Sequence, residues 1–62
     1  MNFPNDPYML LSVINMKLRD FYDSLDSLCD DMNIQKYELC EKLAEIGYEY
    51  NPQRNSFANK KE

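Results

Sequence analysis

The spacing of the apolar residues changes once along this chain, at Gly47, its single glycine. Before Gly47 the apolar side chains recur at intervals of three and four residues, which is typical of helices that bury one face. After it, Tyr48-Glu49-Tyr50 alternates as a strand does. The sequence therefore predicts a mostly α fold, in which a compact three-helix domain is followed by a short C-terminal β-hairpin.

The length of the chain limits how this fold can be stabilised. Sixty-two residues form at most a single domain, residues 1–62, with a small hydrophobic core. Chains of this size often rely on disulfides, metals or oligomerisation. The chain has only two cysteines and no histidine, so it has few residues for disulfides or a metal site. We therefore expect a homodimer.

The first helix is predicted over residues 7–21. Asp6 can accept hydrogen bonds from the unpaired N–H groups of a first turn, and Pro7 suits the first helical position because it has no N–H to leave unpaired. The residues expected on its buried face are Leu10, Val13, Ile14, Leu18 and Phe21.

Residues 23–47 predict a helix-turn-helix-like pair. Its first helix, predicted over residues 24–32, follows the capping residues Asp23 and Ser24. It ends at Asn33, because asparagine tolerates the left-handed conformation found at helix ends.

The other helix of the pair is predicted over residues 35–46, with Ile34 filling the corner before it and Gly47 ending it. The two helices are expected to face each other through small and apolar side chains. These are Leu25, Leu28, Cys29, Met32, Leu39, Cys40, Leu43 and Ile46.

The hairpin is predicted over residues 48–58, around a turn in which Asn55 takes the positive φ. Because a two-stranded hairpin is not stable alone, we expect Tyr48, Tyr50 or Phe57 to pack on the helices. Residues 59–62 are predicted to be a frayed tail.

Charge bears on a nucleic-acid function. Residues 23–47 contain seven acidic residues against two lysines, a net charge of −5. In a DNA complex the third helix would enter the major groove, where Lys36 and Lys42 could reach phosphates. Its glutamates would oppose the polyanion. A DNA- or RNA-binding regulator acting as a dimer is therefore the alternative function, and a protein-interaction module is the preferred one.

The chemistry for catalysis is missing. The chain has no histidine to act as a base, no glycine-rich phosphate loop, and no serine or cysteine beside an activating partner. We therefore expect no enzyme activity, no catalytic residue, no metal and no cofactor. Cys29 and Cys40 are interpreted as buried reduced thiols, with a redox pair as the alternative.

Five residues are candidates for partner binding. Two adjacent acids lie near the C-terminus of the second helix, where the negative end of the helix dipole is unfavourable for them. We expect them to pair with Lys17, Arg19 or Lys36. The alternative is an acidic contact surface for a basic partner. A tyrosine and two lysines are expected on the outer face of the third helix. The candidates are Asp30, Asp31, Lys36, Tyr37 and Lys42.

No apolar run approaches the roughly 20 residues that span a bilayer, and the first six residues do not have the basic start and apolar stretch of a signal peptide. We therefore expect a cytoplasmic protein with no membrane partner.

Four runs of residues together resemble a known family. They are Asp6-Pro7-x-Met9-Leu10-Leu11, Asn15-x-Lys17-Leu18-Arg19-Asp20, Leu28-Cys29-Asp30-Asp31 and Gly47-Tyr48-Glu49-Tyr50. Over residues 4–57 the chain resembles a short bacterial family catalogued as a domain of unknown function (DUF4250). The resemblance implies a stand-alone bacterial, cytoplasmic protein and implies no activity, ligand or site. The C-terminal part also resembles helix-turn-helix proteins with a Tyr-rich hairpin, but their third helix is usually basic.

Overall fold

Three helices precede a hairpin in the computed structural model, which describes residues 5–60. The elements follow the predicted order, so the mostly α class with a C-terminal hairpin is confirmed. They are α1 (Pro7–Asp20), α2 (Leu25–Met32), α3 (Lys36–Ala44), β1 (Tyr48–Asn51) and β2 (Ser56–Asn59).

The predicted caps are confirmed at the starts of α1 and α2. Asp6 Oδ1 accepts a hydrogen bond of 2.9 Å from the N–H of Tyr8, and Ser24 Oγ accepts one of 3.1 Å from the N–H of Ser27. At the end of α2, Asn33 has φ 56° and ψ 49°, the expected left-handed conformation. Local hydrogen-bonding chemistry therefore sets these three boundaries.

The end of α3 differs from the prediction. The helix stops at Ala44, two residues before Ile46, because the N–H groups that follow Glu45 bond three residues back. The N–H of Ile46 donates to the carbonyl of Leu43 at 3.2 Å, and that of Gly47 donates to Ala44 at 3.0 Å. Such bonds tighten a last turn, and Gly47 then leaves it at φ 83°.

The core is built by the predicted helical stripes together with one residue of the hairpin. Each stripe contributes residues three or four positions apart, as one buried helical face requires. The buried hydrophobic residues are Leu10, Ile14, Leu18, Leu25, Leu28, Cys29, Ile34, Leu39, Leu43 and Phe57. The prediction that Ile34 fills the corner between α2 and α3 is consistent with its burial.

Two core predictions for α1 fail. Phe21 is 69% exposed because it is the C-cap, with φ −126°, and no longer follows the helical stripe. The Lys17 ammonium lies 5.7 Å from its ring centroid. Val13 is only half-buried, since it lies at the margin of the stripe that Leu10, Ile14 and Leu18 form.

The hairpin packs on the helices through its aromatic residues, as predicted. Its register pairs Tyr50 with Phe57 and Asn51 with Ser56. The rings of Tyr50 and Phe57 lie 5.6 Å apart with a tilt of 59°, a favourable aromatic geometry. The frayed-tail prediction is wrong for Asn59, which belongs to β2, and for Lys60, whose N–H donates to the carbonyl of Gly47 at 2.9 Å. Residues 61–62 of that tail lie outside the described residues.

One side-chain amide of α1 joins the hairpin to the helices. Asn15 Oδ1 accepts a hydrogen bond of 2.8 Å from the N–H of Phe57, and Asn15 Nδ2 donates one of 3.1 Å to the carbonyl of Phe57. The side chain of Asn15 thus pairs with β2 on the side away from β1, in the way that a neighbouring strand would.

A second amide, from Asn55, joins the turn of the hairpin to the end of α1. The N–H of Tyr22 bonds to the carbonyl of Lys17, which leaves the carbonyl of Leu18 without its usual helical partner. Asn55 Nδ2 donates to the carbonyls of Leu18 at 3.0 Å and Tyr22 at 2.9 Å. Its Oδ1 accepts a hydrogen bond of 2.7 Å from the hydroxyl of Tyr50.

The same tyrosine hydroxyl continues the network to α2. Tyr50 Oη accepts a hydrogen bond of 3.3 Å from the N–H of Leu25, one of the first-turn N–H groups that have no partner within a helix. The predicted positive φ of Asn55 is confirmed at 51°. Asn55 and Tyr50 therefore connect the end of α1, the start of α2 and the hairpin turn.

We predict that Asn55→Gly lowers the free energy of unfolding by about 1–3 kcal/mol, because it keeps the positive φ but leaves the carbonyl of Leu18 without a partner. Asn55→Ala should cost about 1 kcal/mol more, since alanine is strained at positive φ. Urea unfolding followed by circular dichroism measures both changes.

The matched control is Asn33→Gly. Asn33 has a similar φ of 56°, and among the described residues its side chain has no hydrogen-bond partner. We expect this change to be nearly neutral. Equal losses for Asn33→Gly and Asn55→Gly would contradict the role given to the Asn55 amide.

Candidate functional site

A groove with a volume of about 520 Å³ lies between α3 and β1. Tyr37, Cys40 and Ala44 line it from the helix, and Tyr48 and Tyr50 line it from the strand. Tyr37 is 75% exposed, as predicted from its place on the outer face of the helix. The remaining residues that line the groove are Glu41, Glu49 and Lys60. We call this cleft the α3–β1 groove.

The helical period explains which side chains of α3 reach the groove. Tyr37, Cys40 and Ala44 are separated by three and four residues and so share one side of the helix. Leu39 and Leu43 are fully buried in the core. The helix is therefore anchored by one face, and an adjacent face is left to line the groove.

The strand contributes unpaired backbone groups as well as side chains. In an antiparallel ladder, residues alternately face the partner strand and turn away from it. The N–H and C=O of Phe57 both hydrogen-bond to the side chain of Asn15, so they point away from β1. Tyr50 is paired with Phe57 in the ladder, and its N–H and C=O therefore point away from β2. The N–H and C=O of Tyr48, two residues earlier in the strand, point in the same direction as those of Tyr50.

Within residues 5–60, no hydrogen-bond partner occurs for these N–H and C=O groups of Tyr48 and Tyr50. The side of β1 away from β2 is thus an open strand edge, and such an edge is a template for pairing with another chain. The α3–β1 groove combines this edge with an apolar floor.

Acidic groups surround the groove. The Glu41 carboxylate raises the pKa of Tyr37, because a hydrogen bond to that carboxylate and its negative charge both favour the protonated phenol. Glu49 is exposed at the strand. Lys60 is a cation among the lining residues. The rim therefore favours ligands with positive charge.

The two predicted lysines lie apart from the groove. Lys36 Nζ is 2.9 Å from Asp26 Oδ1 in an exposed ion pair between α3 and α2. The hydrogen bond to Asp26, followed by its charge, raises the pKa of Lys36. Lys42 lines a shallow depression on another face of α3 together with Glu38, Glu41 and Glu45. Neither lysine faces an open basic surface.

The predicted pairing of Asp30 or Asp31 with a nearby base is wrong. Arg19 binds its neighbour Asp20, with Nε–Oδ1 at 2.9 Å, and Lys36 binds Asp26. Asp31 instead accepts a hydrogen bond from the Tyr22 hydroxyl. The hydrogen bond to that carboxylate is the largest cause of the raised pKa of Tyr22. Of the acids of α2, Asp26 thus pairs with a lysine of α3 and Asp31 with a tyrosine at the α1–α2 corner.

The two cysteines are free thiols. Cys29 is buried, as predicted, and Cys40 is half-buried in the α3–β1 groove. Burial is the largest cause of the raised pKa of both thiols. At Cys29 the next largest cause is the charge of Cys40, which also raises the pKa. A raised pKa lowers the thiolate fraction at neutral pH and with it the reactivity.

Of the seven predicted site residues, Tyr37 and Cys40 line the α3–β1 groove. Cys29 and Lys36 lie close enough to Cys40 to interact with it electrostatically. Sequence reasoning missed Ala44, Tyr48 and the open edge of β1. The spacing of Tyr37, Cys40 and Ala44 contained a signal for the helical side of the groove. The strand side depends on the docking of the hairpin by Asn15, which no local pattern indicates.

Within the described residues, no three histidine, cysteine, aspartate or glutamate side chains converge as a metal site would require. Within residues 5–60, none of the helices combines the length and the hydrophobicity that a bilayer crossing requires.

The chain belongs to the family described as a domain of unknown function, DUF4250, whose sequence model matches residues 4–57. The resemblance found in the four sequence runs is therefore confirmed. Neither a curated protein nor a solved structure matches the chain.

We predict that both cysteines react slowly with iodoacetamide at pH 7, because burial holds their pKa above the ordinary value of about 8.5. Their labelling rates should rise with pH as the thiolates form, and half-buried Cys40 should label before buried Cys29. Mass spectrometry of the labelled peptides measures both rates. Fast, equal labelling of the two thiols at pH 7 would contradict this account and support the redox pair.

Proposed function

We propose that this protein is a non-catalytic interaction module that binds an extended segment of a partner protein in the α3–β1 groove. The observation that carries the proposal is the open edge of β1 beside an apolar floor. In strand addition, main-chain hydrogen bonds supply affinity, and alternate side chains enter pockets that supply specificity. The groove offers both kinds of contact.

The lining favours a particular partner segment. An apolar or aromatic side chain would contact Tyr37, Cys40 and Ala44, and aromatic contacts of this kind often dominate interface energies. Basic residues beside that anchor would complement Glu41 and Glu49. Charge complementarity of this sort mainly increases the association rate and the specificity.

The groups in the groove support binding rather than catalysis. A general acid or base works best with a pKa near the operating pH. Burial moves the pKa of Cys40 away from neutrality, and Glu41 does the same for Tyr37. The groove is also lined by no histidine, since the chain contains none.

Charge weighs against the alternative, a dimeric DNA- or RNA-binding regulator. Glu38, Glu41 and Glu45 are all exposed along α3 and the turn after it. Lys36, which could otherwise reach a phosphate, is engaged by Asp26. Since phosphate contacts dominate nucleic-acid affinity, an acidic third helix supports a protein partner. We accordingly expect no duplex binding even at about 50 mM salt.

The proposal predicts contact-dependent crosslinking at Tyr37. With the photo-crosslinker p-benzoylphenylalanine in place of Tyr37, we expect covalent capture of the same protein in repeated native lysates. The control carries the crosslinker in place of Phe21, an aromatic residue of similar exposure at the end of α1. Equal capture from both positions, or recovery of nucleic acid alone, would contradict the proposal.

The binding mode has its own readout in hydrogen exchange. Once the captured segment is bound, the N–H groups of Tyr48 and Tyr50 should exchange at least about tenfold more slowly, because they gain hydrogen bonds. The N–H of Glu49, already paired with β2, should change little. Unchanged exchange at Tyr48 and Tyr50 would exclude strand addition.

A further inference from the structure

Among the residues that the structure describes, the large exposed apolar side chains are concentrated on one helix. Of the five large hydrophobic residues exposed within residues 5–60, three lie on α1: Tyr8 at 60%, Met9 at 57% and Met16 at 37%. The other two are Phe21 and Tyr37. Contiguous exposed apolar surface on a small protein is characteristic of interaction sites.

These residues form a stripe opposite the core. Met9, Ser12 and Met16 are separated by three and four residues, so they share one face of α1. Tyr8 lies beside them, one turn before Ser12, and Ser12 is exposed at the centre of the stripe. A small central residue allows a second helix to approach closely, with larger side chains on either side. We call these four residues the α1 outer face.

Charge makes a second copy of the chain a suitable occupant. The chain as a whole carries −4, and residues 23–47 carry −5, so two copies repel each other wherever their second and third helices would meet. Residues 6–20 instead contain two acids and two bases. The α1 outer face is therefore a neutral surface at which two acidic copies can meet.

The order of residues along α1 makes an antiparallel pair self-complementary. If a two-fold axis passes near Ser12, facing residues have numbers that add to about 24 or 25. Tyr8 and Met9 then face Met16 of the second copy, and Asp6 faces its Arg19. The Arg19 guanidinium uses two of its N–H groups on Asp20, and a guanidinium has five to donate.

We propose that two copies of this chain pair through the α1 outer face as antiparallel helices about a two-fold axis near Ser12. Such an interface is isologous, with the same residues contributed by both copies. A stable dimer buries about 800 Å² on each partner, roughly a fifth of the surface area of 4418 Å². The interface uses none of the residues of the α3–β1 groove, so it stands independently of the proposed function.

Sedimentation equilibrium over a range of protein concentrations tests the proposal. The full chain should shift from 7.4 kDa to twice that mass as the concentration rises. Met16→Glu should raise the dissociation constant of the dimer at least about tenfold, because it places an unpaired charge against the apolar side chains of Tyr8 and Met9 in the second copy. Tyr37→Glu, the matched change at an exposed site outside the interface, should leave the constant unchanged. A monomer at every concentration, or equal weakening by both variants, would overturn the proposal.

Disulfide trapping tests the position of the axis. In a Cys40→Ser background, Ser12→Cys should form an intermolecular disulfide on mild oxidation at least about tenfold faster than Ser27→Cys, an exposed position on α2. The expectation holds because a disulfide requires Cα atoms about 4.4–6.8 Å apart. Equal rates for the two variants would contradict an axis near Ser12.

Discussion

Two asparagine side chains hold the hairpin of this protein on its helices. Asn15 and Asn55 each contribute two donated or accepted hydrogen bonds to the backbone of another element, and a two-stranded hairpin needs such support to persist in water. Asparagine in the middle of a helix costs roughly 0.5 kcal/mol relative to alanine. Two hydrogen bonds of about 1 kcal/mol each offset that cost, so the tertiary contacts outweigh the local preference.

The position of the hairpin in turn shapes the α3–β1 groove. Because the backbone groups of Phe57 bond to Asn15 and not to β1, the backbone N–H and C=O groups of Tyr48 and Tyr50 point away from β2. The side chain of Tyr50 stays packed on the helices. The open edge of β1 and the apolar side of α3 then form a single groove. The α1 outer face consists of other residues, although Ser12 and Met16 share a neighbouring cleft with Tyr48 of the groove.

The parts of the fold that depend on neighbouring residues could be predicted from sequence. Asp6, Ser24 and Asn33 act as caps through local hydrogen bonds and backbone conformation, and the helical stripes follow from spacing alone. The role of Asn15 could not be predicted, since a polar residue within a helix resembles any exposed one. Its partner Phe57 lies 42 residues away. For the same reason the sequence placed Tyr37 on the outer face of α3 but did not indicate the strand edge opposite it.

The exchange rate of the Phe57 N–H tests most directly whether Asn15 holds the hairpin in place. This group points away from β1, so in a hairpin without Asn15 it would be as unprotected as the N–H of Tyr50. Native-state hydrogen exchange should show strong protection at Phe57, and Asn15→Ala should speed its exchange at least about tenfold more than that of Ala58. If Phe57 instead exchanges as fast as Tyr50 in the unmodified protein, Asn15 does not hold the strand.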